Sequence, residues 1–379
     1  MLSGIRVIEL SRTLAGPLVG QILGDLGAEV IKIEHPEGGD ESRRFSPPEY
    51  AGSSCYFQSA NRNKSSITLN LKNEQDRASL YRLVESADVV TESFRGGVPE
   101  KLGVDFGTLK GYNPNLIYLS VSGYGRTGSR ANWPAYDIIM QAETGLMSIT
   151  GTRSGEQVKI GPSIADMSTG LYGTIGVIAA LFERKNSNQG QYLDIAMFDT
   201  QFSLMANWVL ATLGTGQAPA PMGTGNPALA PYQTVKTTDG SYMVGVANDG
   251  LWQSFCKGLG IEQLLNNPLY RTNQERVANR DQLIADIEEL TQTMSMDELD
   301  ARMKTAGVPG SKVNNLKDVI NSEFAAERQI LVPTEGDPDV SPYTVKFPVS
   351  FSRTPVSKYT RAPGLGGTPI QQVIDDEEN

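Results

Sequence analysis

The chain has 379 residues, 39% of them hydrophobic and 20% charged, with 39 glycines, which suits a loop-rich α/β enzyme of two or three domains. A net charge of −10 excludes the broad basic face of a nucleic-acid binder, so a phosphorylated ligand would need a local basic patch. Cys55 and Cys256 are too isolated for a disulfide framework or a zinc ribbon; with no basic leader and no run of 18 apolar residues, the expectation is a soluble, cytoplasmic protein without a membrane partner.

In chain order, residues 4–34 read as a βαβ unit: the strand IRVIEL, the helix AGPLVGQILGDLG stopped by Gly27, and the strand AEVIKIE. The alternation continues through SITLNL (66–71), a helix at 74–87, DVVTE (88–92) and LIYLSVS (116–122), as a parallel sheet with crossover helices requires. Loops in this region concentrate Lys32, Arg43, Arg44, Arg62, Lys64 and Lys72. Their plain reading is solvated charge, and their functional reading is the seat of an anionic cofactor beyond the strand ends.

A strand at 191–197 and a helix at 198–214 precede a Gly-, Pro- and Ala-rich run at 215–231. Two β runs around TTDGS predict a hairpin, and helices follow at about 250–259, 280–294 and 296–306. The expected fold class is therefore α/β: a large domain over 1–200, a connection over 201–225, a small α+β domain over 226–315, and a tail, 320–379 with its acidic end, packing back on the large domain.

GYGRTG (123–128) matches a dinucleotide fingerprint, but Pro134 interrupts the helix that should follow. The single histidine, His35, excludes HExxH and multi-histidine metal sites, and neither GxSxG nor GxxxxGK[ST] occurs. No metal site is expected, and acid–base work falls to carboxylates, tyrosines or lysines. Asp166 stands out in GPSIADMSTGLYGTIGVIAALFERK. It reads as the N-cap of a long helix, or as a carboxylate nucleophile that the helix N-terminus keeps ionised, and the two roles are compatible. The small residues around it, Gly161, Ser163, Ala165, Ser168, Thr169 and Gly170, would admit a bulky substrate or a close helix contact.

Taken together, the opening LSGIRVIELSRTLAGPLVGQILGDLGAEVIKIEHPEGGD, then NRNKSSITLNLK, ADVVTESFRGGVPEKLG, YLSVSGYGRTG, PAYDIIMQAETGLMSITG and IGPSIADMSTGLYGTIG resemble the class III CoA-transferases of the CaiB/BaiF type, which include formyl-CoA transferase and the carnitine CoA-transferases. The resemblance covers most of the chain and rests on the order and spacing of these segments. It implies a Rossmann-like large domain, an interlocked homodimer, and transfer of CoA from an acyl-CoA donor to a small carboxylic acid, with CoA thioesters as substrates and no permanently bound cofactor. The family nucleophile falls on Asp166, which would form anhydride and aspartyl-CoA thioester intermediates.

Positions matching the family's CoA contacts are Thr13, Leu14, His35, Lys72, Ser93, Phe94, Lys101 and Tyr136, to which Arg43 and Arg44 add charge suited to the phosphates. His35 and Leu14 depart from formyl-CoA transferase, which has an arginine and a glutamine there, and the run of four glycines that enzyme carries as a mobile loop is missing. Backbone N–H groups of MGTGN (222–226) are a candidate oxyanion site. The same fold hosts α-methylacyl-CoA racemase, whose histidine falls where this chain has Tyr136. A racemase, or a noncatalytic CoA-binding protein, is the alternative.

Overall fold

The computed structural model describes residues 1–50, 52–335 and 342–375; the rest of the acidic end, and 336–341 of the tail, lie outside the described residues. The chain forms two compact units, the first from Met1–Leu146, Lys159–Gln217 and the segment from Ala326 onward, the second from Met147–Val158 and Ala218–Ala325.

In the first unit six strands make one parallel sheet: β1 (Arg6–Glu9), β2 (Glu29–Glu34), β3 (Ser65–Thr68), β4 (Val89–Glu92), β5 (Ile117–Ser122) and β6 (Tyr192–Ala196). Their spatial order, β3-β2-β1-β4-β5-β6, reverses direction between β1 and β4. Loops leaving these two strands part to opposite sides, which opens a crevice at their carboxyl ends.

Helices α1 (Ala15–Asp25), α2 (Glu74–Glu85), α3 (Asp137–Glu143), α4 (Ile164–Ser187) and α5 (Met197–Leu204) belong to this unit. Alternation along each strand divides the core in two, as expected of a sheet covered on both faces. Val7, Val30, Val89 and Ile117 pack with Val19 and Leu23 of α1 and Val177 and Leu181 of α4. Ile8, Ile31, Val90 and Tyr118 pack with Leu80, Leu83 and Val84 of α2, a cluster that Val373 of the tail joins. Elsewhere the tail is tied to the sheet edge: Gly366 donates its N–H to Ser66 Oγ (3.1 Å), and the N–H of Thr360 donates to Asn63 Oδ1 (2.7 Å).

The helix expected at 198–214 breaks at Met205 into α5 and α6 (Ala206–Thr215). Much of the expected connection 201–225 is therefore helical, and irregular chain starts only at Gly216, whose φ of +70° ends α6 with a left-handed cap. In the second unit β7 (Tyr232–Lys236), β8 (Ser241–Gly245) and β9 (Gly310–Lys312) form an antiparallel sheet in the order β9-β8-β7. The β7–β8 hairpin closes with the Thr237 N–H on the Gly240 carbonyl (2.9 Å). Helices α7 (Asp249–Leu259), α8 (Arg280–Thr291) and α9 (Met296–Ala306) lie where the periodicity placed them and enclose a core of Tyr242, Trp252, Phe255, Leu283, Leu299 and Met303.

Candidate active site

A cavity of about 490 Å³ opens at the crevice, lined by the segments that leave β1 (Arg12, Thr13), β4 (Ser93, Phe94, Arg95) and β5 (Ser122, Gly123) and by Tyr56, Tyr136 and Asp166. A larger hollow of about 850 Å³ lies against the amino ends of the strands, but there Arg6 pairs with Glu29 (2.7 Å) and Asp25 with Arg62 (2.5 Å). The smaller cavity is the candidate site because it contains a buried carboxylate that accepts no hydrogen bond from a described residue.

That carboxylate is Asp166, the third residue of α4 and 9% exposed. It is not the helix cap. Ser163 occupies the N-cap position without a side-chain capping bond, and the capping acceptor comes from α3: Asp137 Oδ1 takes the Ala165 N–H at 2.7 Å. Asp137 Oδ2 in turn accepts from Gln141 Nε2 (2.7 Å), and Gln141 Oε1 accepts the Ile160 N–H (2.8 Å). Asp137 thus fixes the loop into α4 and leaves Asp166 to face the cavity.

The expectation that the helix N-terminus keeps Asp166 ionised is corrected as well. A helix dipole contributes roughly 0.3–1 kcal/mol near the surface and about 2 at most. Burial, with the Asp137 charge adding to it, outweighs that and pushes the Asp166 carboxyl up to about 7. Burial likewise raises the Tyr56 phenol above its usual range, against a hydrogen bond with Ser163 and helped by the nearby Asp166 charge. The phenol stays a neutral donor.

The stripe of small residues after Asp166 serves packing rather than access. A Cβ on Gly170 would lie 2.8 Å from Leu18 of α1, and Ser168 and Thr169 both bond Thr200 of α5 (3.4 and 2.7 Å). GYGRTG is likewise no dinucleotide loop. Arg126, inside it, donates to Glu92 (2.7 Å), to Ser120 (2.5 Å) and to the Phe94 carbonyl (2.9 Å), which ties the ends of β4 and β5 together. Gly123 lets the Tyr136 segment pass, since a Cβ there would sit 2.2 Å from Ala135 Cβ.

Of the residues singled out in the sequence, Thr13, Ser93, Phe94, Tyr136 and Asp166 line one cavity. Leu14, at the N-cap of α1, and the exposed His35, Lys72 and Lys101 follow β1, β2, β3 and β4 on the same edge of the sheet without lining it. His35 Nδ1 accepts the Glu37 N–H (3.1 Å). Arg43 also lies outside the cavity wall: it makes two bonds to Glu34 (2.6 and 2.8 Å) and stacks 3.8 Å from the Phe57 ring centroid.

The basic cluster is consequently not a free anion patch. Lys32 and Lys64 share Glu9 (both 2.9 Å), Arg62 holds Asp25, and Arg43 holds Glu34; among the six cations only Arg44 and Lys72 are exposed. Buried charges are retained only when paired, and these pairs lie inside the fold. The candidate oxyanion loop is also committed elsewhere. MGTGN belongs to the second unit, where the Gly223 N–H bonds the Gly151 carbonyl (2.9 Å) and the Gly225 N–H the Met222 carbonyl (3.0 Å). Sequence reasoning missed Arg12, Tyr56, Arg126 and Asp137. For Arg126 and Asp137 the signal was present, in GYGRTG and PAYD, but read for other purposes.

The family model described as CoA-transferase family III matches residues 2–368. The chain is 38% identical to the succinate–glutarate CoA-transferase of Agrobacterium fabrum, over 99% of this chain and 96% of that one. It is 38% identical to the acetyl-CoA:oxalate CoA-transferase of Acetobacter aceti, over 88% and 86%. Among solved structures, a CaiB/BaiF family protein from Brucella suis superposes with a TM-score of 0.89 at 39% identity, covering 99% of both chains.

Proposed function

The chain belongs to CoA-transferase family III and is a CoA-transferase, and we propose that Asp166 is its nucleophile and that dicarboxylic acids and their CoA thioesters are its substrates. One observation carries the reading. A carboxylate with no hydrogen-bond partner among the described residues sits in the crevice where the strand order of the parallel sheet reverses, among the loops suited to a nucleotide-bearing ligand.

The Asp166 carboxylate attacks the thioester carbonyl of the donor, the C–S bond breaks, and an aspartyl-acyl anhydride and CoA thiolate result. The thiolate attacks the aspartyl carbonyl, giving an enzyme-bound CoA thioester and the free donor acid. The acceptor carboxylate then attacks that thioester, and the released thiolate takes the acceptor acyl group, which regenerates Asp166. A carboxylate nucleophile and a thiolate leaving group require no proton transfer, which suits a site with no histidine in its lining. The Tyr56 phenol, neutral and in the same lining, is the side-chain donor for the developing oxyanion.

The acyl-CoA runs from Lys72 and Lys101, which meet its phosphates, past Ser93, Phe94 and Thr13 to Asp166. Dicarboxylates are favoured because the two relatives named above act on succinate, glutarate and oxalate. Cavity-lining Arg12 and Lys159 supply positive charge for a second carboxylate. The protein acts as a homodimer, a reading supported by Leu171, Ile175 and Phe182, apolar residues 53–71% exposed along one side of α4.

The test is a transfer assay from succinyl-CoA to a panel of acids. Dicarboxylates should be accepted far better than monocarboxylates of equal length, and Asp166→Asn should lose at least a thousandfold in rate while CoA affinity stays within a few-fold. Equal use of monocarboxylates would overturn the substrate class, and an active Asp166→Asn would overturn the nucleophile.

A further inference from the structure

Four non-glycine residues among those described have positive φ: Thr13, Asn63, Asn188 and Gln329. Asparagine tolerates that region and glutamine is unbranched, but a β-branched threonine at φ +73° is a backbone outlier, and it lies in the cavity wall. Such strain persists only where the surroundings impose it. Here the restraint is Asp40. The Thr13 N–H donates to both Asp40 oxygens (3.1 and 3.2 Å), and the Thr13 hydroxyl donates to Glu41 (3.1 Å).

Asp40 is 1% exposed, and its carboxylate also accepts the Ser42 N–H (2.9 Å) and hydroxyl (2.7 Å) and pairs with Lys32 (2.9 Å). Lys32 is anchored in the sheet by Glu9 and the Ser11 carbonyl, both at 2.9 Å. Although burial pushes the Asp40 carboxyl up, Lys32 and the Ser42 bonds prevail and hold it at about 2. This buried charge is used by no step of the transfer reaction.

We infer that Asp40 is a positioning residue for acyl-CoA binding, which acts through the Thr13 amide to hold the Thr13–Leu14 turn in its left-handed form at the mouth of α1. The inference rests on the reading of the crevice as the acyl-CoA site. It ties a buried Glu9–Lys32–Asp40 chain, otherwise a plain element of stability, to substrate affinity.

The experiment is a cycle of Asp40→Asn and Thr13→Gly, measuring CoA affinity by calorimetry and kcat and KM with succinyl-CoA, with thermal melting as the check on folding. Glycine adopts positive φ without strain, so the Asp40→Asn loss of tenfold or more in affinity should fall below threefold once residue 13 is glycine, with KM moving more than kcat. Equal losses in both backgrounds would overturn the inference.

Because Asp40→Asn leaves Lys32 short of a partner and can unfold the protein, Thr13→Pro supplies a second route. It removes the donating N–H and forbids positive φ while leaving the Asp40–Lys32 pair in place. Thr13→Pro should bind CoA at least tenfold more weakly than Thr13→Gly, and equal binding would overturn the inference. Phe94→Ala separates the two failures. If it leaves CoA affinity unchanged, the crevice is not the CoA site and the underlying reading falls; if it weakens binding while Thr13→Pro matches Thr13→Gly, only the role of Asp40 falls.

Discussion

Asp166 stays protonated in the free enzyme at weakly acid pH because burial outweighs the helix dipole, and its carboxyl lies at about 7 rather than 3.8. Only the anion attacks a thioester, so the rate of enzyme acylation should climb with pH and level off above about 7, as a stopped-flow pH series would show. The same shift costs stability. Between 3.8 and about 7 the folded chain holds a proton the unfolded chain has lost, so this group's contribution to stability falls as pH rises through that window and stays low above it. Asp166→Asn should therefore be more stable than wild type at pH 8, by on the order of 4 kcal/mol at most, and equal to it near pH 4, in urea titrations.

The cations differ in the same way that buried and exposed charges do. Exposed Lys72 makes no side-chain ion pair among the described residues, and its change to Ala should raise KM for acyl-CoA several-fold with little change in melting temperature. Arg43→Ala leaves the buried Glu34 carboxylate without its ion-pair partner, held by the Ser66 hydroxyl (2.6 Å) and the Asp40 N–H (2.9 Å), and should cost roughly 3 kcal/mol in denaturant titrations. Asp166 could be singled out in the sequence by its small uncharged neighbours. Its freedom from capping could not, because the acceptor that replaces it, Asp137, is 29 positions earlier and meets α4 only in the folded chain.

The strands and crossover helices of the first unit were legible because each carries its own period: apolar runs for β1 to β5, helical spacing for α1 and α2. The pairing of charges was not. Glu9, Asp25, Glu34 and Asp40 occupy the same segment as Lys32, Arg43, Arg62 and Lys64, but strand order decides which of them meet. The break at Met205 was hidden for a different reason, since α5 and α6 share one uninterrupted apolar pattern. Gly123 shows how a motif can be present and mean something else. Gly123→Ala should push the Tyr136–Asp137 segment outward, costing about 1–3 kcal/mol of stability and raising KM for acyl-CoA, with denaturation and steady-state kinetics as the checks.

The α4 helix is apolar and long enough to cross a membrane by length and composition, yet 56% of its most apolar window is buried in the fold. Its other side leaves Leu171, Ile175, Ile178 and Phe182 exposed at helical spacing, an apolar stripe of the kind that marks an interaction surface. A homodimer covering that side should appear in sedimentation velocity, and Ile175→Asp with Phe182→Asp should shift it to monomer or to aggregate; an unchanged dimer would place the interface elsewhere.

Covalent catalysis by Asp166 is checked by intact-protein mass spectrometry after mixing with succinyl-CoA. The wild type should form a CoA adduct that hydroxylamine removes, that borohydride fixes as a reduced residue mapping to position 166, and that Asp166→Asn does not form. Acid exchange catalysed by the wild type with no adduct, or an adduct mapping to another residue, would contradict it.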